Sequence, residues 1–138
     1  MTRALIVALA AWAVSPAHAQ ADVAGEWWTP GFGARVRIER CGDAVCGRIV
    51  WLWDDTPKDI ADKHPLIGRL VIDRMQAAEP GRWQGGRLYN PEDGHDYKGS
   101  LRLQSASRLL VDGCVMFVCR SQVWRRVDGQ RCPPVAAP

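Results

Sequence analysis

Thiols, carboxylates and guanidinium groups are the reactive side chains of this sequence, and their spacing decides which chemistry each can do. Cys41 and Cys46 flank Gly42-Asp43-Ala44-Val45, where Gly-Asp suits a turn between two strand-like runs. Residues facing each other in an antiparallel pair sit about 4.5 to 5.5 Å apart at Cα, the separation a disulfide needs. A Cys41–Cys46 bridge is therefore expected. Cys114 and Cys119 repeat the spacing and form a second candidate bridge. Spacing leaves exchange of partners between the two sets open, and Cys132 stands over as a free thiol, an intermolecular bridge or a swapped partner. Zinc is the rival use of thiols. It favours shorter Cys spacings, often with His, and neither His64 nor His95 lies near a cysteine in sequence.

The carboxylates offer less. Asp54, Asp55, Asp59 and Asp62 lack the Gly and closing Glu of a calcium loop, and Lys58, Lys63 and His64 interrupt their charge. Glu92-Asp93 could pair for hydrolysis, but Pro91-Glu92-Asp93-Gly94 is ordinary turn chemistry. His95-Asp96 has no nucleophile beside it. No nucleophile elbow, phosphate loop or zinc-protease helix is written in the chain. The expectation is a protein without catalytic residues, cofactor or metal.

Aromatic and guanidinium groups point instead to binding. Strand alternation links Trp83 and Tyr89 to Arg87, Trp124 to Gln122 and Arg126, and Trp51 to Ile49 and Trp53. An inward Arg is costly without an anionic partner. The head group of an anionic ligand would supply one, as would an internal acid such as Glu26 or Asp73. Trp51, Trp53, Trp83, Arg87, Tyr89, Tyr97, Gln122 and Trp124 are accordingly the candidate lining of a site for a small hydrophobic or amphipathic molecule. The tryptophans suit sugar stacking or plain packing as well. Val115-Met116-Phe117-Val118 is an apolar run where a turn should be polar. It reads either as a greasy lip that touches ligand, membrane or an envelope protein, or as strand folded onto the core.

These groups must be positioned by one domain. The chain has 138 residues, 47% hydrophobic and 24% charged, with a formal charge of +3. That excludes a disordered chain and gives no basic patch suited to nucleic acid. Residues 1–19 read as a secretory signal peptide. Arg3 supplies the positive region, the apolar run 4–14 is too short to span a bilayer, and Ala17-His18-Ala19 places small residues for cleavage. Gln20 stands where a lipoprotein would need Cys. The expected product is periplasmic or secreted, cut after Ala19, without a transmembrane span in the mature chain. Export also suits disulfides.

The rest reads as strands parted by turn signals: 24–29, 35–39, 45–53, 66–76, 82–89, 97–104, 108–114 and 119–127. Residues 20–127 are expected to form a single domain, all-β, an antiparallel up-and-down eight-stranded barrel. Residues 128–138 form a Pro-rich tail. Such a barrel closes its own edges and either packs shut or holds one small ligand.

Gly25 and Trp27 on the first strand, with Arg125-Arg126 closing the last, resemble the signature of lipocalin-like (calycin) barrels. In these, an Arg of the last strand stacks on the first-strand Trp; Gly25, Trp27 and Arg126 are the expected barrel-closing set. A longer resemblance runs through Cys41-Gly42, Cys46-Gly47-Arg48-Ile49-Val50-Trp51-Leu52, the stretch 85–94 with Tyr97, and Gln122-Val123-Trp124-Arg125-Arg126. It is similar to the bacterial exported family DUF2147. The resemblance implies a lipocalin-like barrel and export, and no established activity. Three departures stand out: a short loop after Trp53, Asn90 where Asp is usual, and the extra cysteines Cys114, Cys119 and Cys132.

Overall fold

Alternation decides which residues become wall and which become core. Arg35-Val36-Arg37-Ile38-Glu39 switches between charged and β-branched residues, and the structure buries Val36 and Ile38 while Arg37 and Glu39 face water. A computed structural model describes residues 22–53 and 66–128. Eight strands follow in chain order: β1 Gly25–Trp28, β2 Ala34–Cys41, β3 Ala44–Leu52, β4 Leu70–Glu79, β5 Arg82–Asn90, β6 His95–Ser105, β7 Arg108–Val115 and β8 Val118–Arg126. A single 3-10 turn, Pro30–Phe32, joins β1 to β2. Each strand pairs antiparallel with the next, and β8 returns to β1, closing the barrel.

The eight expected strands are all present, with ends that differ by up to four residues, most at the start of β4. Residues 66–69 form a turn around Gly68 (φ 85°), so β4 begins at Leu70. Both local disulfides form, Cys41–Cys46 and Cys114–Cys119. Each closes a short loop and contributes about 2 kcal/mol by chain entropy. The signal segment, the acidic loop 54–65 and Cys132 lie outside the described residues.

The core runs along the barrel axis through Trp27, Val36, Ile38, Val45, Ile49, Ile72, Met75, Leu101, Leu109, Val111 and Trp124. At the waist, glycines let side chains from neighbouring strands close in over the interior. A Cβ on Gly99 would stand 2.0 Å from Met75 Cε and 2.7 Å from Leu88 Cγ. One on Gly47 would stand 3.0 to 3.1 Å from Ile72 and 3.1 Å from Val36. The middle of the barrel is filled by its own residues.

One end is shut by β1 and β8. Arg126 Cζ lies 4.2 Å from the Trp27 ring centroid. Its guanidinium donates to Ala24 O (2.8 Å), Asp22 O (2.6 Å) and Ala106 O (2.6 Å). Burial lowers the Arg126 pKa from its ordinary value, and Asp22 opposes that. Trp27 Nε1 donates to Val23 O at 2.8 Å, so the buried indole is satisfied. Gly25 sits at φ 130°, and its missing Cβ leaves room for Arg126 Nη1, 2.7 Å from where that atom would be. The expected closing set of Gly25, Trp27 and Arg126 thus meets in one contact.

Candidate functional site

Two bulges decide where the binding candidates point. Arg35 pairs with Trp51 and Val36 with Ile49, so Val50 is an extra residue that flips Trp51 outward. Gly85, at φ 81°, is the extra residue between Gln84 and Gly86. Trp83 and Leu88 consequently face the core, while Arg87 turns outward. A strict period of two would have placed Trp83, Arg87 and Tyr89 on one face, and Ile49, Trp51 and Trp53 on another. The bulges separate them, so the eight candidates do not line a common chamber.

Their positions are these. Trp124 is buried inside and donates from Nε1 to Gln122 Oε1 at 3.0 Å, with Gln122 exposed at the rim. Trp83 is half-buried against the core. Tyr97 is half-buried, and its hydroxyl donates to Asp93 of the β5–β6 turn. Trp51 stacks edge-on with Trp28 (5.4 Å) and with the exposed Trp53 (6.0 Å) on the outer wall. Arg35 lies over both Trp28 and Trp51 and pairs with Glu26 at 3.3 Å, and Glu26 also holds Arg37 at 2.6 Å. The Glu26 hydrogen bond, with its charge, raises the Arg37 pKa.

Arg87 and Tyr89 belong to an outer groove of about 610 Å³ between β3, β4 and β5. Arg87 meets Asp73 at 3.5 Å, Arg69 lies 3.9 Å above the Tyr89 ring, and Arg48 donates to Gly68 O at 3.0 Å. Of the two acids weighed as partners for an inward Arg, Asp73 takes Arg87, and it does so on the outside. Arg69 belongs to this group but carries no sequence signal of its own, because the turn that presents it falls inside an apparent strand.

Asp93 is a turn organiser. Besides Tyr97, it accepts from Asn90 Nδ2 (3.1 Å) and His95 N (2.9 Å). The Tyr97 bond, then the His95 amide, lower its pKa, and the same Tyr97–Asp93 bond raises that of Tyr97. Asn90 thus supplies an amide donor to this carboxylate. Among the described residues, no cluster of His, Cys, Asp or Glu could hold a metal. No helix among them is long and apolar enough to cross a membrane.

The apolar run at 115–118 is a hairpin tip. Val115 pairs with Val118 across the two-residue turn Met116-Phe117. Met116 is 88% and Phe117 98% exposed, and Met116 sits at φ 53°. Left-handed backbone costs a non-glycine residue about 1 to 2 kcal/mol. Exposed apolar groups on unfavourable backbone are the opposite of what a stable turn selects. The other large exposed hydrophobics of the described residues, Trp53 and Ile67, lie at the same barrel end, opposite the Arg126 closure.

Residues 25–126 match the family described as "Uncharacterized protein conserved in bacteria (DUF2147)". No curated protein matches the sequence. Among solved structures, the fold is similar to that of protein HP1028 from the human pathogen Helicobacter pylori, which is described as belonging to the lipocalin family. The TM-score is 0.64 at 17% identity, covering 78% of this chain and 84% of that one. At that identity the likeness speaks for the fold. The barrel is therefore lipocalin-like, and the match across all eight strands makes this chain a member of the bacterial family DUF2147.

Proposed function

We propose that this protein is an exported, non-catalytic interaction module, with a packed barrel as a rigid base and the β7–β8 tip as its contact. The observation that carries the reading is the exposed Val115–Val118 run above a filled waist. A lipocalin-like fold is compatible with a small ligand in the barrel. Met75 and Leu88 pack so closely on Gly99 that not even a Cβ would fit there, which supports the packed reading. Two cross-strand disulfides suit an oxidising compartment, in keeping with a signal peptide cut after Ala19 and a periplasmic location. A photoreactive residue at position 117 of the exported protein, against one at Gln104 as control, tests this. Discrete adducts from 117 alone are expected. Equal yields from both positions would contradict it.

A second reading rests on the outer groove. Arg48, Arg69 and Arg87 with Tyr89 suit the head group of a small amphipathic anion. Calorimetry with decanoate tests this, with binding expected for the natural protein and lost in Arg69→Ala.

A further inference from the structure

The barrel seam is short. β1 meets β8 at two positions, Trp27 opposite Arg126 and Trp28 opposite Arg125, and then turns away at Thr29. Among the described residues, no strand lies beside β8 from Val118 to Trp124 on that side; the 3-10 turn Pro30–Phe32 flanks only its Val123–Arg125 end, and Val118 to Gln122 are all exposed. This is an open sheet edge of the kind that other chains join.

The hydrogen-bond phase of that edge is fixed. A two-residue turn makes Val115 and Val118 a hydrogen-bonded pair, so Val118, Arg120, Gln122 and Trp124 bond toward β7. Residues at odd positions bond the other way. The seam confirms the phase: Arg126 N donates to Ser107 O on the β7 side, and Val127 N to Glu26 O on the β1 side. The Cα atoms of Cys114 and Cys119 lie 4.0 Å apart, as suits a pair without backbone bonds. Cys119, Ser121 and Val123 therefore hold their N–H and C=O groups outward along the open edge.

A pocket begins where the edge ends. Trp28, Thr29, Pro30, Gly31, Phe32, Val123 and Arg125 enclose about 210 Å³ beside β8. The same hairpin carries a projecting aromatic ring, Phe117, at its other end.

We propose that two copies of this chain join edge to edge through β8, antiparallel about a two-fold axis at Ser121, and that Phe117 of each copy fills the Trp28–Val123 pocket of the other. This deepens the reading of the tip as a contact and rests on it. With Ser121 opposite its own copy, Cys119 faces Val123 and Val123 faces Cys119. All three outward-bonding residues then find partners, giving about six hydrogen bonds between copies. Arg120 comes opposite Gln122, so no like charges face each other. Val118 comes opposite Trp124, and beyond it the turn leaves the sheet edge, because Trp28 already stands beside Arg125; Phe117 is then aimed at the pocket that Trp28 and Val123 line. A register centred one residue away in either direction leaves an outward-bonding residue unmatched or runs into β1. The Cys114–Cys119 bridge holds the hairpin in shape beforehand, which lowers the ordering cost of association.

Sedimentation velocity on the full mature chain tests this, beside cross-linking from position 117. The natural protein should be a dimer at high micromolar concentration, with the 117 adduct at twice the chain mass on the peptide holding Trp28 to Phe32. Ser121→Pro removes an outward N–H and leaves the β7 ladder intact, so the barrel should fold and be monomeric. Phe117→Ser, which touches no part of the core, should weaken the dimer at least about tenfold. A monomeric natural protein would overturn the dimer, as would a dimer indifferent to both substitutions. A monomer whose 117 adducts are with another protein or lipid would overturn the dimer alone. A monomer without adducts would remove the contact reading as well.

Discussion

Arg126 and Trp27 stand at opposite ends of the described chain and touch face to face, 4.2 Å from guanidinium carbon to ring centroid. The three carbonyls that Arg126 reaches come from Asp22, Ala24 and Ala106, so one side chain ties the strand entering the barrel to the β6–β7 turn. Arg126→Lys keeps the charge but not the planar fork. It should cost about 2 to 3 kcal/mol, read as a lower urea midpoint with unchanged slope.

A filled waist has its own signature. Gly99→Val pushes into Met75 and Leu88 and should cost about 1 to 3 kcal/mol. Met75→Ala alone should cost about 2 to 5 kcal/mol, since it opens a cavity beneath a fully buried site. The double variant should lose clearly less than the two single losses together, because valine refills part of the space. Strict additivity in denaturation experiments would mean that the two positions do not share a packed interior.

The barrel was legible because its signals agree across levels: alternation in β2 and β6, turn residues between strands, and Cys spacing within bridging reach, although only Cys114 lies directly opposite its partner Cys119, while Cys41 pairs with Ala44 and reaches Cys46 diagonally. The fate of the binding candidates was not, because two bulges reset the period. The Gly85-Gly86 pair is a readable hint of one, since glycine inside a strand marks a bulge. Val50 gives no such hint, as a valine is at home in any strand, and so Trp51 was expected on the same side as Ile49. The apolar tip was seen in sequence, but whether it projects or folds back depends on the length of the β7–β8 pairing, which composition does not encode.

The β5–β6 turn should respond to acid. Asp93 has a lowered pKa in the folded state, chiefly through Tyr97 and the His95 amide. Its stabilising effect is thus complete above the ordinary carboxylate pKa and disappears as pH falls through the lowered one. Asp93→Asn should melt a few degrees below the natural protein at neutral pH, and the gap should close on acidification through that range. A gap that stays constant would refute this assignment, with melting followed by circular dichroism.

Turn chemistry and contact chemistry conflict at the tip. Replacing Met116-Phe117 by Asn-Gly supplies residues at ease with left-handed backbone and should raise stability by about 1 kcal/mol. The same change should abolish the dimer in sedimentation velocity. A variant that is more stable and still self-associates would separate Phe117 from the contact.

The described residues contain two methionines that report on the two halves of this account, Met75 sealed in the barrel at 0% exposure and Met116 at 88% on the tip. Methyl NMR of the mature protein with labelled methionine, titrated first with decanoate and then by its own concentration, reads both. We predict a Met75 signal indifferent to decanoate and a Met116 signal that moves with protein concentration. A Met75 signal that shifts saturably with decanoate, beside an unmoving Met116, would show a ligand chamber where packed side chains are claimed and contradict the account.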